Sequence, residues 1–296
     1  FRTYEDILNS NDNSKLYALI NQIPFTISSS SVDLYQNFDI SNMSESELND
    51  RGLMYQYIIN NTPEEQREYI FMNYETKINL MDNSLKKPAI VFGNETSERL
   101  YGKDTDDRIY AGKGDDTVIA GNGNDYVEGG LGNDTIEAGT GTNYIDGGTG
   151  SDTISYKNIT NSNKEGINVN LSLSTAQTIN STITDTLINI ENVIGSRYAD
   201  NIIGKDNSNS TITLDGGDGD DILKVGLNSV NKLFGGAGDD TLVSTLIGFK
   251  NESAGIDYSK GSSYLNGGEG IDTYVVKDYV TIEDDDGRGE IQTKYG

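Results

Sequence analysis

A side chain that can bind a metal recurs at every ninth residue between Gly93 and Ser155. In seven consecutive nine-residue copies, the sixth position is occupied by Glu98, Asp107, Asp116, Asp125, Asp134, Asn143 and Asp152. Glycines in the same copies free backbone carbonyl oxygens, and carboxylate and carbonyl oxygens are the ligands that Ca²⁺ prefers. Because the chain contains no histidine and no cysteine, softer metals lack their usual ligands. The sequence therefore predicts several bound calcium ions.

The elements that position these residues follow from the rest of each copy. One aliphatic residue recurs at the eighth position, which is too sparse for an amphipathic helix. Glycine, aspartate and asparagine favour a turn over the first six positions, and the last three positions predict a short strand whose middle residue points inward. Two copies, or eighteen residues, make one circuit of a flattened coil, and successive circuits stack as parallel strands about 4.8 Å apart.

This stacking places carboxylates eighteen residues apart above one another on two edges of the coil. Two carboxylates at that spacing repel by about 3–4 kcal/mol at an effective dielectric constant near 20. Several such pairs would cancel the stability of an ordinary domain. We therefore expect the coil to close only when cations lie between the rungs.

The copies resemble the RTX (repeats-in-toxin) nonapeptide, Gly-Gly-x-Gly-x-Asp-x-aliphatic-x. The agreement is strongest in AGKGDDTVI, AGNGNDYVE, GGLGNDTIE, AGTGTNYID and GGTGSDTIS, whereas GNETSERLY and GKDTDDRIY lack the glycine pair. The resemblance implies a parallel β-roll in which the aspartates ligate calcium ions shared between neighbouring turns. Asn143 in place of aspartate is expected to weaken one ion site.

A second, less regular set of copies follows: GGDGDDILK, GGAGDDTLV and GGEGIDTYV. The sixth position of these copies predicts calcium ligands at Asp221, Asp240 and Asp272, and the stretch GSRYAD before them adds Asp200. The neighbouring rungs are clearest at Asp221 and Asp240. The fold class expected is mainly β, with two calcium-bound parallel β-rolls and a small N-terminal α-helical cap. The predicted segments are a helical capping or linker domain (1–92), the first roll (93–155), an inserted β-hairpin or strand segment (156–194), the second roll (195–275) and a C-terminal capping hairpin (276–296).

Residues 1–92 differ in composition and carry helix signals. Asp12 precedes an apolar face at 16–23, and capping patterns at Ser44 and Thr62 open predicted helices over 48–59 and 66–78. The segments 17–25 and 50–54 resemble the helical region that precedes the repeats in RTX lipases and toxins. In the tail, Asp286-Gly287 between two β-branched runs predicts a two-residue hairpin turn.

Composition narrows the classes of function. The chain has 22 Lys plus Arg against 47 Asp plus Glu and a formal net charge of −25, which argues against nucleic acid and anionic membranes as partners. No stretch is apolar for the eighteen residues that a membrane span needs. The absence of cysteine fits an exported bacterial protein that does not use disulfides.

Catalytic patterns are absent. A zinc protease of the His-Glu-x-x-His type and a Ser-His hydrolase both need histidine, and no Gly-x-Ser-x-Gly occurs. Carboxylate pairs are plentiful, but their nine-residue regularity is typical of ligands and not of an acid–base pair. We therefore expect a chain that is not an enzyme.

The RTX resemblance implies secretion by a type I system into the extracellular space or onto a bacterial surface, directed by an uncleaved C-terminal signal. It also implies an upstream catalytic domain in the same polypeptide, such as a hydrolase or a toxin. The expected function is thus a calcium-binding module that folds after export. The alternative is a structural, calcium-rigidified segment of an adhesin or surface-layer protein.

Overall fold

The structure, a computed structural model, describes residues 42–59, 62–63, 66–73, 78–79, 86–160, 162–205, 211–225, 231–244, 250–251, 256–257, 263–276 and 280–293. One helix is found in these ranges, α1 (Glu45–Ile59). The strands in chain order are β1 Ile70–Asn73, β2 Ile78–Asn79, β3 Ala89–Phe92, β4 Arg99–Tyr101, β5 Arg108–Lys113, β6 Thr117–Ile119, β7 Tyr126–Leu131, β8 Thr135–Glu137, β9 Gly141–Thr149, β10 Thr153–Ser155, β11 Asn168–Asn170, β12 Gln177–Asn180, β13 Ile183–Ile188, β14 Asn192–Ile194, β15 Asn201–Ile203, β16 Ile212–Asp218, β17 Ile222–Val225, β18 Asn231–Ala237, β19 Thr241–Ser244, β20 Lys250–Asn251, β21 Ile256–Asp257, β22 Ser263–Glu269, β23 Thr273–Val276, β24 Val280–Glu283 and β25 Glu290–Thr293.

Successive strands alternate between the two walls of a coil. Sheet A has the order β12-β13-β9-β7-β5-β3-β1-β2, sheet B the order β24-β22-β18-β16-β14-β10-β8-β6-β4, and sheet C the order β11-β15-β17-β19-β23-β25. Sheet B forms one wall of the coil along both rolls. Sheet A forms the opposite wall in the first roll, and sheet C forms it in the second. Nearly all neighbouring strands are parallel. The mainly β fold built from parallel β-rolls is therefore confirmed.

The strand register confirms the eighteen-residue circuit of the first roll. In sheet A, Arg108 pairs with Tyr126, which pairs with Tyr144. In sheet B, Thr117 pairs with Thr135 at the same spacing. The second roll has longer and unequal circuits, because insertions separate its rungs.

The aliphatic residue of each copy forms the core. The seven eighth-position residues of the first roll are completely buried: Leu100, Ile109, Val118, Val127, Ile136, Ile145 and Ile154. They belong to one apolar cluster that continues through the second roll to Val276. The core is thus a single column enclosed between the two walls.

Sheet B passes through both rolls without interruption, whereas the opposite wall changes from sheet A to sheet C. The change occurs at the antiparallel hairpin of β12 and β13, where β13 also stacks on β9 in parallel. The side-chain amide of Gln177 accepts a hydrogen bond from the Asn170 N–H at 2.8 Å and donates one to the Asn170 carbonyl at 3.2 Å. This amide joins the edges of sheets A and C, so the segment 156–194 is part of the coil.

Helix α1 covers the outer face of sheet A. Its Met54 and Tyr55 pack on Phe92 and Tyr110, which point away from the core column. Asp50 accepts hydrogen bonds from Arg108 Nη1 and from the Tyr110 hydroxyl, both at 2.7 Å. A buried carboxylate therefore fastens the helix to the first roll.

Two sequence-based expectations about local structure are wrong. The segment 66–78, predicted as a helix, contains β1 instead, and β1 pairs with β3 in parallel and extends sheet A. The second is the hairpin at Asp286-Gly287, since β24 pairs with β22 in sheet B and β25 pairs with β23 in sheet C. The tail therefore adds another circuit to the coil. The helix predicted at 16–23 and the resemblance at 17–25 lie outside the described residues.

Replacing Asp50 by alanine tests how the helix is attached. The change leaves the buried Tyr110 hydroxyl without its acceptor and removes the partner of the half-exposed Arg108, so we expect a loss of about 2 kcal/mol in unfolding free energy. Urea unfolding in calcium, followed by tyrosine fluorescence, measures the effect. The control Glu95→Ala breaks an exposed ion pair with Lys113 and should cost under about 1 kcal/mol. Equal losses in the two variants would contradict this account.

Candidate metal centre

The sixth-position side chains of successive rungs form three columns along the edges of the coil. Column 1 contains Glu98, Asp116, Asp134, Asp152 and Glu191; column 2 contains Asp107, Asp125, Asn143 and Asp185; column 3 contains Asp200, Asp221, Asp240 and Asp272. All ten residues that the sequence predicts as ligands lie in these columns. Most of them directly precede a strand, so parallel strand pairing sets their vertical alignment.

Within a column, neighbouring rungs are linked by a backbone-to-carboxylate hydrogen bond. The N–H of Asp116 donates to Oδ1 of Asp134, and the N–H of Asp134 donates to Oδ1 of Asp152, both at 2.8 Å. Column 3 repeats the pattern from Asp200 to Asp272 at 2.8–2.9 Å. Each such carboxylate therefore uses one oxygen to hold the rung before it.

The second oxygen of seven aspartates has no hydrogen-bond partner, although each of these residues is at most 2% exposed. We call them the open aspartates: Asp116, Asp125, Asp134, Asp152, Asp221, Asp240 and Asp272. A buried carboxylate oxygen without a partner is costly. This arrangement is explained if a cation supplies the missing interaction.

Three other acidic residues of the columns have both oxygens occupied. Asp107 accepts the N–H of Lys103, and Asp200 accepts the N–H of Ser196, in addition to a hydrogen bond from the rung before. Asp185 accepts the Tyr156 hydroxyl at 2.8 Å on one oxygen. We call Asp107 and Asp200 the capped aspartates, because a backbone N–H takes the place that a cation would fill.

In copies that begin with two glycines, the first glycine keeps the space beside the open aspartate clear, whereas Ala111 and Ala120 occupy this position in the copies of Asp116 and Asp125. A Cβ placed on Gly129 would lie 2.4 Å from Oδ2 of Asp134 and 2.5 Å from the carbonyl oxygen of Gly147. Gly235 has the same surroundings, with Oδ2 of Asp240 at 2.2 Å and the Gly267 carbonyl oxygen at 2.5 Å from such a Cβ. A carboxylate oxygen and a carbonyl oxygen of the next rung thus face one small space.

The donor set fits a hard cation. Among the described residues, no group of three or more acidic, histidine or cysteine side chains converges on one point. An ion at an open aspartate would therefore take the remainder of its oxygen ligands from backbone carbonyls, which Ca²⁺ accepts readily and Zn²⁺ does not.

Burial raises the pKa of the open aspartates far above the usual range for aspartate. Loss of solvent is the largest cause, and neighbouring carboxylates of the same column add to it. The pKa rises to about 7 for Asp116, Asp125 and Asp152, and to about 8 for Asp221. Without a cation, therefore, these groups resist ionisation.

Asn143 interrupts column 2 in a way that removes charge repulsion. Its Oδ1 accepts the Asp125 N–H at 3.0 Å, and its Nδ2 donates to Oδ1 of Asp185 at 2.8 Å. Together with the Tyr156 hydroxyl, the amide satisfies the buried Asp185 from within the protein. The expectation of a weaker ion site at Asn143 agrees with this geometry but stays a prediction.

The second roll carries a carboxylate column on one edge of the coil. Column 1 ends at Glu191, because the register of sheet B places Ile212, Asn231 and Ser263 at the equivalent positions of the following rungs. The periodicity of the copies did not reveal this asymmetry, since 206–210 and 226–230 interrupt the spacing.

Sequence reasoning missed a second set of stacked polar residues at the fifth position of the copies. There the hydrogen bonds run in the opposite direction, because Oδ1 of Asp115 accepts the N–H of Asn133, and Oδ1 of Asn133 accepts that of Ser151, at 2.7 and 2.9 Å. These exposed side chains continue the rung-to-rung bonding through the turns. The signal was readable, since the fifth position of the first-roll copies is always Asp, Asn, Ser or Thr.

Fold and site together define a calcium-binding parallel β-roll protein. Residues 92–127 and 119–154 match the family model described as RTX calcium-binding nonapeptide repeat (4 copies). Residues 92–154, in the first roll, are thus RTX calcium-binding repeats, as the copies predicted. A comparison with curated proteins found no match.

A methyl group at Gly129 tests the space beside Asp134. In Gly129→Ala the new Cβ collides with the two oxygens that face this space, so we expect weaker calcium binding and a lower melting temperature in calcium. Calorimetric titration and thermal unfolding measure these quantities. Gly287→Ala is the control, because nothing lies within 4 Å of an added Cβ there; its positive φ of 73°, which Gly129 does not share, adds backbone strain to the control alone. Calcium affinity unchanged in Gly129→Ala would contradict the proposed geometry.

The raised pKa values predict an inverted pH dependence in chelator. The pKa of these carboxyls is about 6–8 in the folded chain and about 3.9 in the unfolded chain. The folded, metal-free chain therefore binds more protons, and its stability is lost as the pH rises through that range. In EGTA we expect a larger β signal by circular dichroism at pH 5 than at pH 8. In excess calcium we expect a higher melting temperature at pH 8 than at pH 5, because protons compete with the ion. A larger β signal at pH 8 than at pH 5 in EGTA would contradict this prediction.

Proposed function

We propose that this chain is a calcium-triggered folding module of a protein exported by a type I secretion system. The observation that carries the proposal is the set of buried Oδ2 atoms without partners on the seven open aspartates. A cation bound at these atoms would satisfy the buried carboxylates.

The energetics favour an unfolded chain when calcium is scarce. Open aspartates of one column are stacked at the spacing of parallel strands, about 4.8 Å, and the charge of Asp134 adds to the rise in the pKa of Asp152. At the neutral pH of a cytosol, protonation of the open aspartates reduces the cost of burying their charges only in part. Binding of calcium to the folded state alone then shifts the equilibrium by mass action.

Secretion gives this coupling a use. An unfolded chain can pass through a narrow export conduit, and the millimolar calcium outside the cell would fold it on arrival. Extracellular calcium modules bind in the range of about 10⁻⁴–10⁻³ M, which separates the two compartments. We propose that the module thereby supports the folding of a catalytic or toxic domain elsewhere in the same polypeptide.

We propose a non-catalytic role for the chain itself. The open aspartates stand in regular columns, an arrangement typical of metal ligands and not of an acid–base pair. No helix in the described part of the chain is long and apolar enough to cross a bilayer. The partners proposed are calcium ions, the type I secretion machinery and an upstream domain.

A rigid structural segment of an adhesin or surface-layer protein is the second candidate. It is supported by the nine strands of sheet B, which continue through both rolls. In that function the stiffness of the calcium-loaded coil would be its purpose. A hydrolase or toxin domain upstream in the same polypeptide would favour the first candidate, and tandem immunoglobulin-like domains would favour the second.

Calcium dependence of folding tests the proposed module. We expect circular dichroism of the chain in EGTA to lack most of the β signal, and calcium in the millimolar range to restore it together with resistance to proteolysis. Magnesium at the same concentration is the control, since Mg²⁺ demands near-octahedral geometry and dehydrates reluctantly. A full β signal in EGTA at pH 8 would overturn the proposal.

A further inference from the structure

The open and capped aspartates differ at one position of the backbone, four residues before the carboxylate. For all seven open aspartates this residue is a glycine with a φ between 94° and 110°: Gly112, Gly121, Gly130, Gly148, Gly217, Gly236 and Gly268. For the capped residues Asp107 and Asp200, it is Lys103 and Ser196. Neither of these two has a positive φ.

The identity of this residue correlates with a hydrogen bond. The N–H groups of Lys103 and Ser196 donate to Oδ2 of Asp107 and of Asp200. At Glu98 the N–H of Asn94, four residues earlier, likewise donates to Oε2 at 3.1 Å, although Oε1 of Glu98 has no partner. Where the residue is glycine, Oδ2 of the aspartate has no donor.

A peptide flip explains the correlation. Rotating the central peptide of a tight turn by about half a turn reverses the directions of its N–H and C=O groups, and requires a positive φ at the next residue. Glycine adopts that φ without strain, whereas lysine, serine and asparagine do not. The glycine therefore turns its N–H away from the carboxylate and leaves the oxygen to a cation.

We propose that the residue four positions before each column aspartate determines whether its rung takes a calcium ion. Aspartates with glycine there bind an ion, whereas Asp107 and Asp200 are closed by the backbone N–H and bind none through Oδ2. Asn143 has Gly139 at this position but carries no carboxylate. This rests on the proposed function. It divides the ten sequence-predicted ligands into seven that bind an ion through a free carboxylate oxygen and three that do not, namely Asp107, Asp200 and Asn143.

The capped rungs have a defined place in the fold. Asp107 begins column 2 and Asp200 begins column 3, and each accepts a further N–H from the preceding segment, that of Ala89 at 2.6 Å and that of Ile167 at 2.8 Å. Each of these columns thus starts with a rung that the protein satisfies by itself. In column 3 the ions are stacked from the second rung onward, and in column 2 the second rung, Asp125, is the one open aspartate.

Converting the capped Asp107 into an open aspartate tests the proposal. Lys103→Gly allows the peptide to flip and should raise the number of bound calcium ions by one at saturation, counted by native mass spectrometry and by calorimetric titration. Lys103→Ala removes the same side chain but keeps the N–H donor, so its count should equal that of the unmodified chain. Circular dichroism in calcium shows whether each variant is folded.

If the Lys103 variants fold poorly, a second pair of variants at Ser196 provides the same test. Ser196→Gly and Ser196→Ala both remove the hydroxyl that donates to Asp200 at 2.8 Å, and only the glycine variant should gain an ion. Equal ion counts in the glycine and alanine variants of both pairs, in a chain that binds calcium, would overturn this inference alone. Absence of calcium binding in the unmodified chain would instead overturn the proposed function.

Discussion

The interaction on which this structure depends is the bond between a buried carboxylate and the backbone N–H of the rung before it. It fixes the rotamer of the aspartate and draws the negative charge into the wall of the coil. The second oxygen is buried as well, and in seven aspartates it has no hydrogen-bond donor. A carboxylate that is half satisfied in this way costs free energy until an ion completes it. Stability and ligand binding are therefore two aspects of one arrangement.

Much of the fold was predictable because the period of nine is obeyed without a slip from Leu100 to Ile154. One aliphatic residue per copy determines the inward face, and glycine and aspartate determine the turn, so the parallel coil and its columns follow. The position of Asp185 above Asn143 was not predictable, because forty-two residues and a hairpin separate the two in the chain. The end of column 1 before the second roll was not predictable either, since unequal insertions hide the strand register.

The errors share a physical origin. Segment 66–78 has helix-like capping residues, but pairing with β3 provides backbone hydrogen bonds and burial of Ile70 and Phe71. Asp286-Gly287 has the composition of a hairpin turn, yet the strands on either side find exposed edges of two different sheets. In both cases tertiary pairing decides over local preference. The difference between open and capped aspartates escaped the sequence analysis, although its determinant is one letter, because only the hydrogen bonds give that letter a meaning.

The uninterrupted course of sheet B has a consequence for how the molecule comes apart. Every rung in this wall serves as the template for the next, so order can spread from either roll into the other across β10 and β14 without a new nucleation event. Among the described residues, the two sheets of the opposite wall are not joined by paired strands, and the Gln177 amide hydrogen-bonds across their edges. Strands that separate at one end can therefore pair again along sheet B, and a break in sheet B would divide one cooperative unit into two.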